Sequence, residues 1–167
     1  MRKLLVLLAG LSLMLVGLLG PASAQTSFDN RVESDMNGFA EWNATTMAFG
    51  AGDLNGDGLA RILLDANNGR VCFQLRWSDI DQPAAAHIHT GGVGVNGGIV
   101  VDLLGNASRV QHGADGTGGA VGCAQGVSSE LIEDIGTNPG AYYTNVHNAA
   151  FPGGAIRGNL ENDEEGI

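Results

Sequence analysis

Arg70-Val71-Cys72-Phe73-Gln74-Leu75-Arg76-Trp77 is the stretch from which the fold can be read. Successive side chains of an extended chain point to opposite faces. Val71, Phe73, Leu75 and Trp77 therefore share one side, and Arg70, Cys72, Gln74 and Arg76 share the other. One face meets a core and the other meets solvent or a second layer. Just before it stands Asn67-Asn68-Gly69, a hairpin signal, because Asn and Gly accept the positive φ that a tight turn needs. Upstream of that turn, residues 60–66 alternate in the same way, with Ile62 and Leu64 set against Arg61 and Asp65. The pair reads as an antiparallel hairpin.

The pattern repeats outward from this hairpin. Residues 84–90 alternate, Ala86 and Ile88 against His87 and His89, and a glycine loop over 91–98 leads to a strand over 99–104. Residues 105–126 are Gly-rich and weakly patterned, and read as loop apart from a short strand near Cys123. A short helix near residues 129–135 is marked by a Ser cap, Glu130 in the first turn, Gly136 at the stop and Pro139 beyond. Residues 142–147 and 155–160 read as the last two strands, joined by Phe151-Pro152-Gly153-Gly154. Residues 25–50 form a loosely spaced entry with one or two early strands. The expected fold is all-β, an antiparallel β-sandwich with one short helix. Val71, Phe73, Leu75, Trp77, Ile88, Ile99, Val101, Val146 and Ile156 are its expected core.

The N-terminus calls for a separate reading. Arg2 and Lys3 precede an apolar run over residues 4–19, and Pro21-Ala22-Ser23-Ala24 follows. A basic start, a short apolar stretch and small residues before a cut after Ala24 mark a secretory signal peptide. The apolar run is too short for a comfortable membrane span of about 20 residues. The expected organisation is a signal peptide at 1–24, an N-terminal segment at 25–36, one domain at 37–160 and an acidic tail at 161–167. Without residues 1–24 the chain has 143 residues, six Arg, no Lys and a net charge of −12. Such a chain repels phosphate backbones, which excludes nucleic-acid partners, and the mature chain holds no membrane span. Secretion to the medium or periplasm is expected. In an oxidising compartment Cys72 and Cys123 form one disulfide, worth roughly 4 kcal/mol by loop entropy. A paired-thiolate metal site is the rival, and it lacks a C-x-x-C spacing.

Four histidines carry the candidate chemistry. His87 and His89 lie two apart on a strand, so both rings project from one face about 6–7 Å apart. By the same alternation Val146 points inward, and Asn145 and His147 point outward. If these strands are neighbours, three imidazoles converge, a set suited to zinc or copper. A bound ion requires their nitrogens within about 4 Å of one another. His112, in a glycine loop, is a fourth candidate without a strand to place it. The alternative is a polar network in which the histidines hold loop carbonyls. Asp53-x-Asn55-x-Asp57-Gly58 opens like a calcium loop, but its twelfth place is Leu64, so a solvated turn fits better. Arg157 reads as an anion clamp or as the partner of a carboxylate. No nucleophile motif is present.

Taken in order, these motifs resemble a known pattern. Val71-Cys72-Phe73, Ala86-His87-Ile88-His89-Thr90-Gly91, Gly94-x-Asn96-Gly97, Asn145-Val146-His147 and Pro152-Gly153-Gly154-Ala155-Ile156-Arg157-Gly158 resemble the CHRD domain. That module is repeated in chordin and occurs singly in secreted bacterial proteins. The resemblance implies a CHRD-type, Greek-key-like sandwich. The positions matching the family's motifs are His87, His89, Asn145, His147, Pro152, Gly153, Gly154 and Arg157. The cysteine-rich repeats that bind growth factors in chordin have no counterpart in this chain, so that activity is not implied. The H-x-H strand is also similar to the copper-binding strand of copper/zinc superoxide dismutases. The expected function is a non-enzymatic extracytoplasmic or matrix-associated module that binds an extracellular or envelope protein or glycan, with an exposed apolar patch near the histidine loops. The alternative is a copper or zinc carrier or redox protein using His87, His89 and His147.

Overall fold

The computed structural model describes residues 30–163. The expected signal peptide at 1–24 and the end of the acidic tail lie outside the described residues. The strands are β1 (Arg31–Asn37), β2 (Trp42–Asn43), β3 (Ala48–Phe49), β4 (Asp57–Asp65), β5 (Arg70–Ser78), β6 (Pro83–Thr90), β7 (Ile99–Asp102), β8 (Ala107–His112), β9 (Gly118–Gln125), β10 (Tyr142–Asn148), β11 (Ile156–Asn159) and β12 (Glu161–Asn162). The helix α1 spans Ser129–Thr137, and its Ser128 cap accepts the Leu131 N–H. β2 and β3 form a small separate hairpin. The other strands make one antiparallel sheet in the order β7-β6-β10-β11-β1-β4-β5-β9-β8, with β12 alongside β1.

That order forces the sheet to curl. β7 and β8 stand at its two ends, yet they follow each other in the chain. Laid flat, eight inter-strand steps of about 4.8 Å would separate them by roughly 38 Å. Five Cα steps from Asp102 to Ala107 reach at most about 18 Å. The two halves therefore fold over a shared interior, giving a sandwich-like all-β fold. Val32 and Met36 of β1, Ile62 and Leu64 of β4, the four apolar residues of β5, Ile88, Val101, Val146 and Ile156 fill that interior. Ile132 and Ile135 of α1 are fully buried against it.

Three features depart from the sequence reading. Ile99, expected in the core, is 57% exposed. A register shift between Ile88 and His89 sets Ile99 opposite outward-facing His89, while Val101 stays opposite Ile88. Residues 107–112 and 118–125, read mostly as loop, are full strands. Their pattern is faint because β5 supplies the bulk, with Phe73 opposite Gly122, Leu75 opposite Ala120 and Trp77 opposite Gly118. A Cβ at Gly118 would lie 2.6 Å from the Trp77 indole nitrogen. Lastly, β1 occupies residues placed mostly before the domain, yet it sits mid-sheet between β11 and β4. Ser34 takes one of its inward places and mutes the alternation.

Cys72 and Cys123 are directly opposed on β5 and β9 and are joined as the expected disulfide. Among the described residues no helix is long and apolar enough to cross a membrane.

Candidate metal centre

β10 lies between β6 and β11, and register sets the site. His89 stands opposite Tyr143, His87 opposite Asn145, and Ala85 opposite His147. Ile88 and Val146 are fully buried on the inner face, so their neighbours are driven to the outer face of the same strands. His87, His89 and His147 thus meet on one surface. Each offers a ring nitrogen, and all three nitrogens lie within 4.8 Å of one another. His87 Nδ1 and His147 Nε2 are 3.2 Å apart. Tetrahedral coordination with bonds of 2.0–2.1 Å puts neighbouring donors about 3.3 Å apart. One pair is therefore already at that spacing; the 4.8 Å bound on the trio exceeds the expected 4 Å, and closing it around an ion needs a further ring adjustment of up to about 1.5 Å.

Backbone carbonyls fix the tautomers of His89 and His147. His89 Nδ1 is 3.1 Å from the Gly97 carbonyl, and His147 Nδ1 is 3.1 Å from the Pro152 carbonyl. A carbonyl only accepts, so both Nδ1 atoms carry the proton; His147 Nε2 then accepts from His87 Nδ1, and His89 Nε2 is left as the free lone pair. His89 Nε2 is buried and has no hydrogen-bond partner. This is the arrangement that orients metal-ligating imidazoles from behind. Burial is the main cause holding all three rings below the ordinary histidine pKa, with mutual repulsion adding to it for His87 and His147. Their neutral forms are the ones able to bind a cation.

Loops roof this outer face. Arg157 is only 1% exposed. Its guanidinium donates to Asn96 Oδ1 (2.8 Å) and to the Gly92 and Val95 carbonyls (3.0 and 2.8 Å). It also lies over the Tyr143 ring, 3.4 Å from its centre, and His89 stacks on that ring at 4.8 Å and 6°. Asn96 donates in turn to the Trp42 carbonyl (3.0 Å). The 91–98 loop and the β2–β3 arm are thereby tied to β11. Gly97 is required here, since a Cβ would fall 1.9 Å from the Thr90 carbonyl oxygen. That close approach is what brings the Gly97 carbonyl to His89.

Glu41 completes the layer from the β1–β2 connection. It is 4% exposed, and its Oε1 has no hydrogen-bond partner. Burial pushes its carboxyl up to about 7, against the opposing pull of Arg157 and Asn145. Gly154 has φ of 139°, and a Cβ there would lie 2.0 Å from Glu41 Oε1. The Pro152-Gly153-Gly154 turn thus has two jobs, offering the Pro152 carbonyl to His147 and leaving room for Glu41.

Not every candidate joins this site. His112 lies in β8, where its Nδ1 accepts the Trp77 indole N–H (3.1 Å). It is not among the histidines whose ring nitrogens cluster. Leu64, the twelfth place of the Asp53 loop, is a core residue of β4, and Asp53 Oδ1 accepts the Asn55 N–H within its own turn. Arg157 spends its donors internally, so it is not an exposed anion clamp. Two residues escaped notice as parts of the site. Tyr143 could have been found by alternation, being two before Asn145. Glu41, in a segment without clear period, carried no local signal.

A family model for the CHRD domain matches residues 32–160, more than three quarters of the chain. The chain belongs to the CHRD domain family. No curated protein and no solved structure matches it. Membership points to a non-enzymatic, extracellular type of module at family level. The match begins at Val32, so the CHRD domain includes nearly all of β1, and it ends at Leu160, just beyond β11.

Proposed function

We propose that this is an exported CHRD module that holds a divalent transition-metal ion, Zn²⁺ or Cu²⁺, on His87, His89 and His147. The observation that carries the reading is the buried, unpartnered Nε2 of His89 beside two further imidazole nitrogens. A buried acceptor without a donor costs about 1–3 kcal/mol, and a cation removes that cost. Three imidazoles suit either ion. Loading the purified chain with Zn²⁺ or Cu²⁺, desalting it and measuring metal content tests this. One ion per chain is expected, lost in His87→Ala, His89→Ala and His147→Ala but kept in His112→Ala. A wild-type chain that retains no ion overturns it.

A second reading has its own support. Phe39, Met47, Phe49, Leu54, Val93 and Val95 are exposed around the same loops, and Phe49 packs on both Phe39 and Trp42. An apolar cluster of this kind favours docking of an extracellular or envelope protein or glycan. Retention of wild-type protein, but not of a Phe39→Ser/Phe49→Ser variant, on an envelope or matrix fraction supports it. Equal retention of the two proteins counts against it.

A further inference from the structure

Asn145 shares the outer face of the three histidines. It is 2% exposed, and its Oδ1 is buried without a hydrogen-bond partner. It sits on the outer face of β10, opposite His87 on one side and Arg157 on the other. His147 follows two residues later on the same face. The Asn145 amide lies against both the Glu41 carboxyl and the His89 ring.

Donor and acceptor roles then constrain what can fill the space. In its ionised form Glu41 accepts from the amide Nδ2–H, and Oδ1 is left without a partner. His89 spends its own proton on the Gly97 carbonyl, which leaves Nε2 as a lone pair. Asn145 Oδ1 and His89 Nε2 are thus two buried acceptors on the same outer face, each without a hydrogen-bond partner. A cation satisfies both at once.

We infer that Asn145, through Oδ1, is a fourth ligand to the ion held by His87, His89 and His147. This rests on the metal reading of the previous section. Three imidazole nitrogens and one amide oxygen make a complete four-coordinate set for zinc. The protein then fills the position that catalytic zinc sites leave open for water or substrate. The site is built to retain an ion, with Glu41 as the outer partner that orients its oxygen ligand.

Cobalt(II) is the probe, because its visible spectrum reports coordination directly. Full-length wild type, Asn145→Ala and Asn145→Asp are titrated with Co²⁺, after thermal unfolding of the metal-free proteins has shown that each is folded. The Ala variant is expected to bind one ion through its three histidines about 10–100-fold more weakly than wild type, with altered visible bands as water replaces the amide oxygen. The Asp variant restores an oxygen donor and adds charge, so it is expected to bind at least tenfold more tightly than wild type. Equal affinities and superimposable spectra for wild type and Asn145→Ala overturn the fourth ligand while leaving the three-histidine site standing. A wild type that binds no Co²⁺ overturns the site itself. Should Asn145→Ala not fold, the Asp variant decides, and an affinity unchanged from wild type overturns the assignment.

Discussion

The two halves of the curled sheet treat their outer faces differently. On β4 and β5 the outer places hold Arg61, Leu63, Gln74 and Arg76, all exposed, with the disulfide at Cys72. On β6, β10 and β11 they hold His89, Tyr143, Asn145 and Arg157, all buried beneath loops. Both halves alternate in the same way and share one interior. The difference lies in what the loops cover. Burying polar groups costs free energy unless each finds a partner, and here Arg157 alone makes three hydrogen bonds. The roofed face gives up hydrophobic gain for fixed side-chain positions.

The largest expected effect comes from breaking the roof. Arg157→Leu leaves the Gly92 and Val95 carbonyls and Asn96 Oδ1 without their donor and Glu41 without its counter-charge. It should cost about 3–5 kcal/mol in a urea unfolding experiment. A loss below about 1 kcal/mol would mean that the loops do not depend on this residue. Next, the bare half is pinned covalently. Replacing Cys72 and Cys123 together by Ser should cost about 2–4 kcal/mol yet leave metal retention on the roofed face unchanged. If metal content falls with the disulfide, the two faces are not independent.

Glu41 sharpens the contrast through pH. Its folded pKa of about 7 lies above its ordinary value of 4.5, so the folded state holds the proton more tightly. Its contribution is greatest below pH 4.5 and is lost as pH rises toward 7, by on the order of 3 kcal/mol. The histidines act with opposite sign. Their folded pKa values lie below 6.5, so the stability they contribute above 6.5 is lost on acidification. The difference between wild type and Glu41→Gln isolates the carboxyl, and stability curves that run parallel between pH 4.5 and 7 would contradict its burial. The smallest effect belongs to the bare face. Leu63→Ser, at a residue 43% exposed, should shift stability by less than about 0.5 kcal/mol.

The β4–β5 hairpin, β6, β10, β11 and α1 were legible because each carries its own period or cap. β8 and β9 were not, since their glycines and alanines answer to Phe73, Leu75 and Trp77 on the neighbouring strand. The outward turn of His87, His89 and His147 was legible from Ile88 and Val146. Their convergence depended on whether β6 and β10 are neighbours, which no local pattern states.

Alternation by itself, then, determined which side of each strand faces the core, because that depends only on backbone geometry and the nearest apolar residues. Tertiary structure decided which strands lie together, that the outer face of β6, β10 and β11 is roofed, and that Glu41 reaches it from a distant segment. Pairing and burial are set by contacts between residues far apart in the chain. Their free energy depends on the assembled neighbourhood, such as Gly154 leaving space for Glu41, rather than on any stretch read alone.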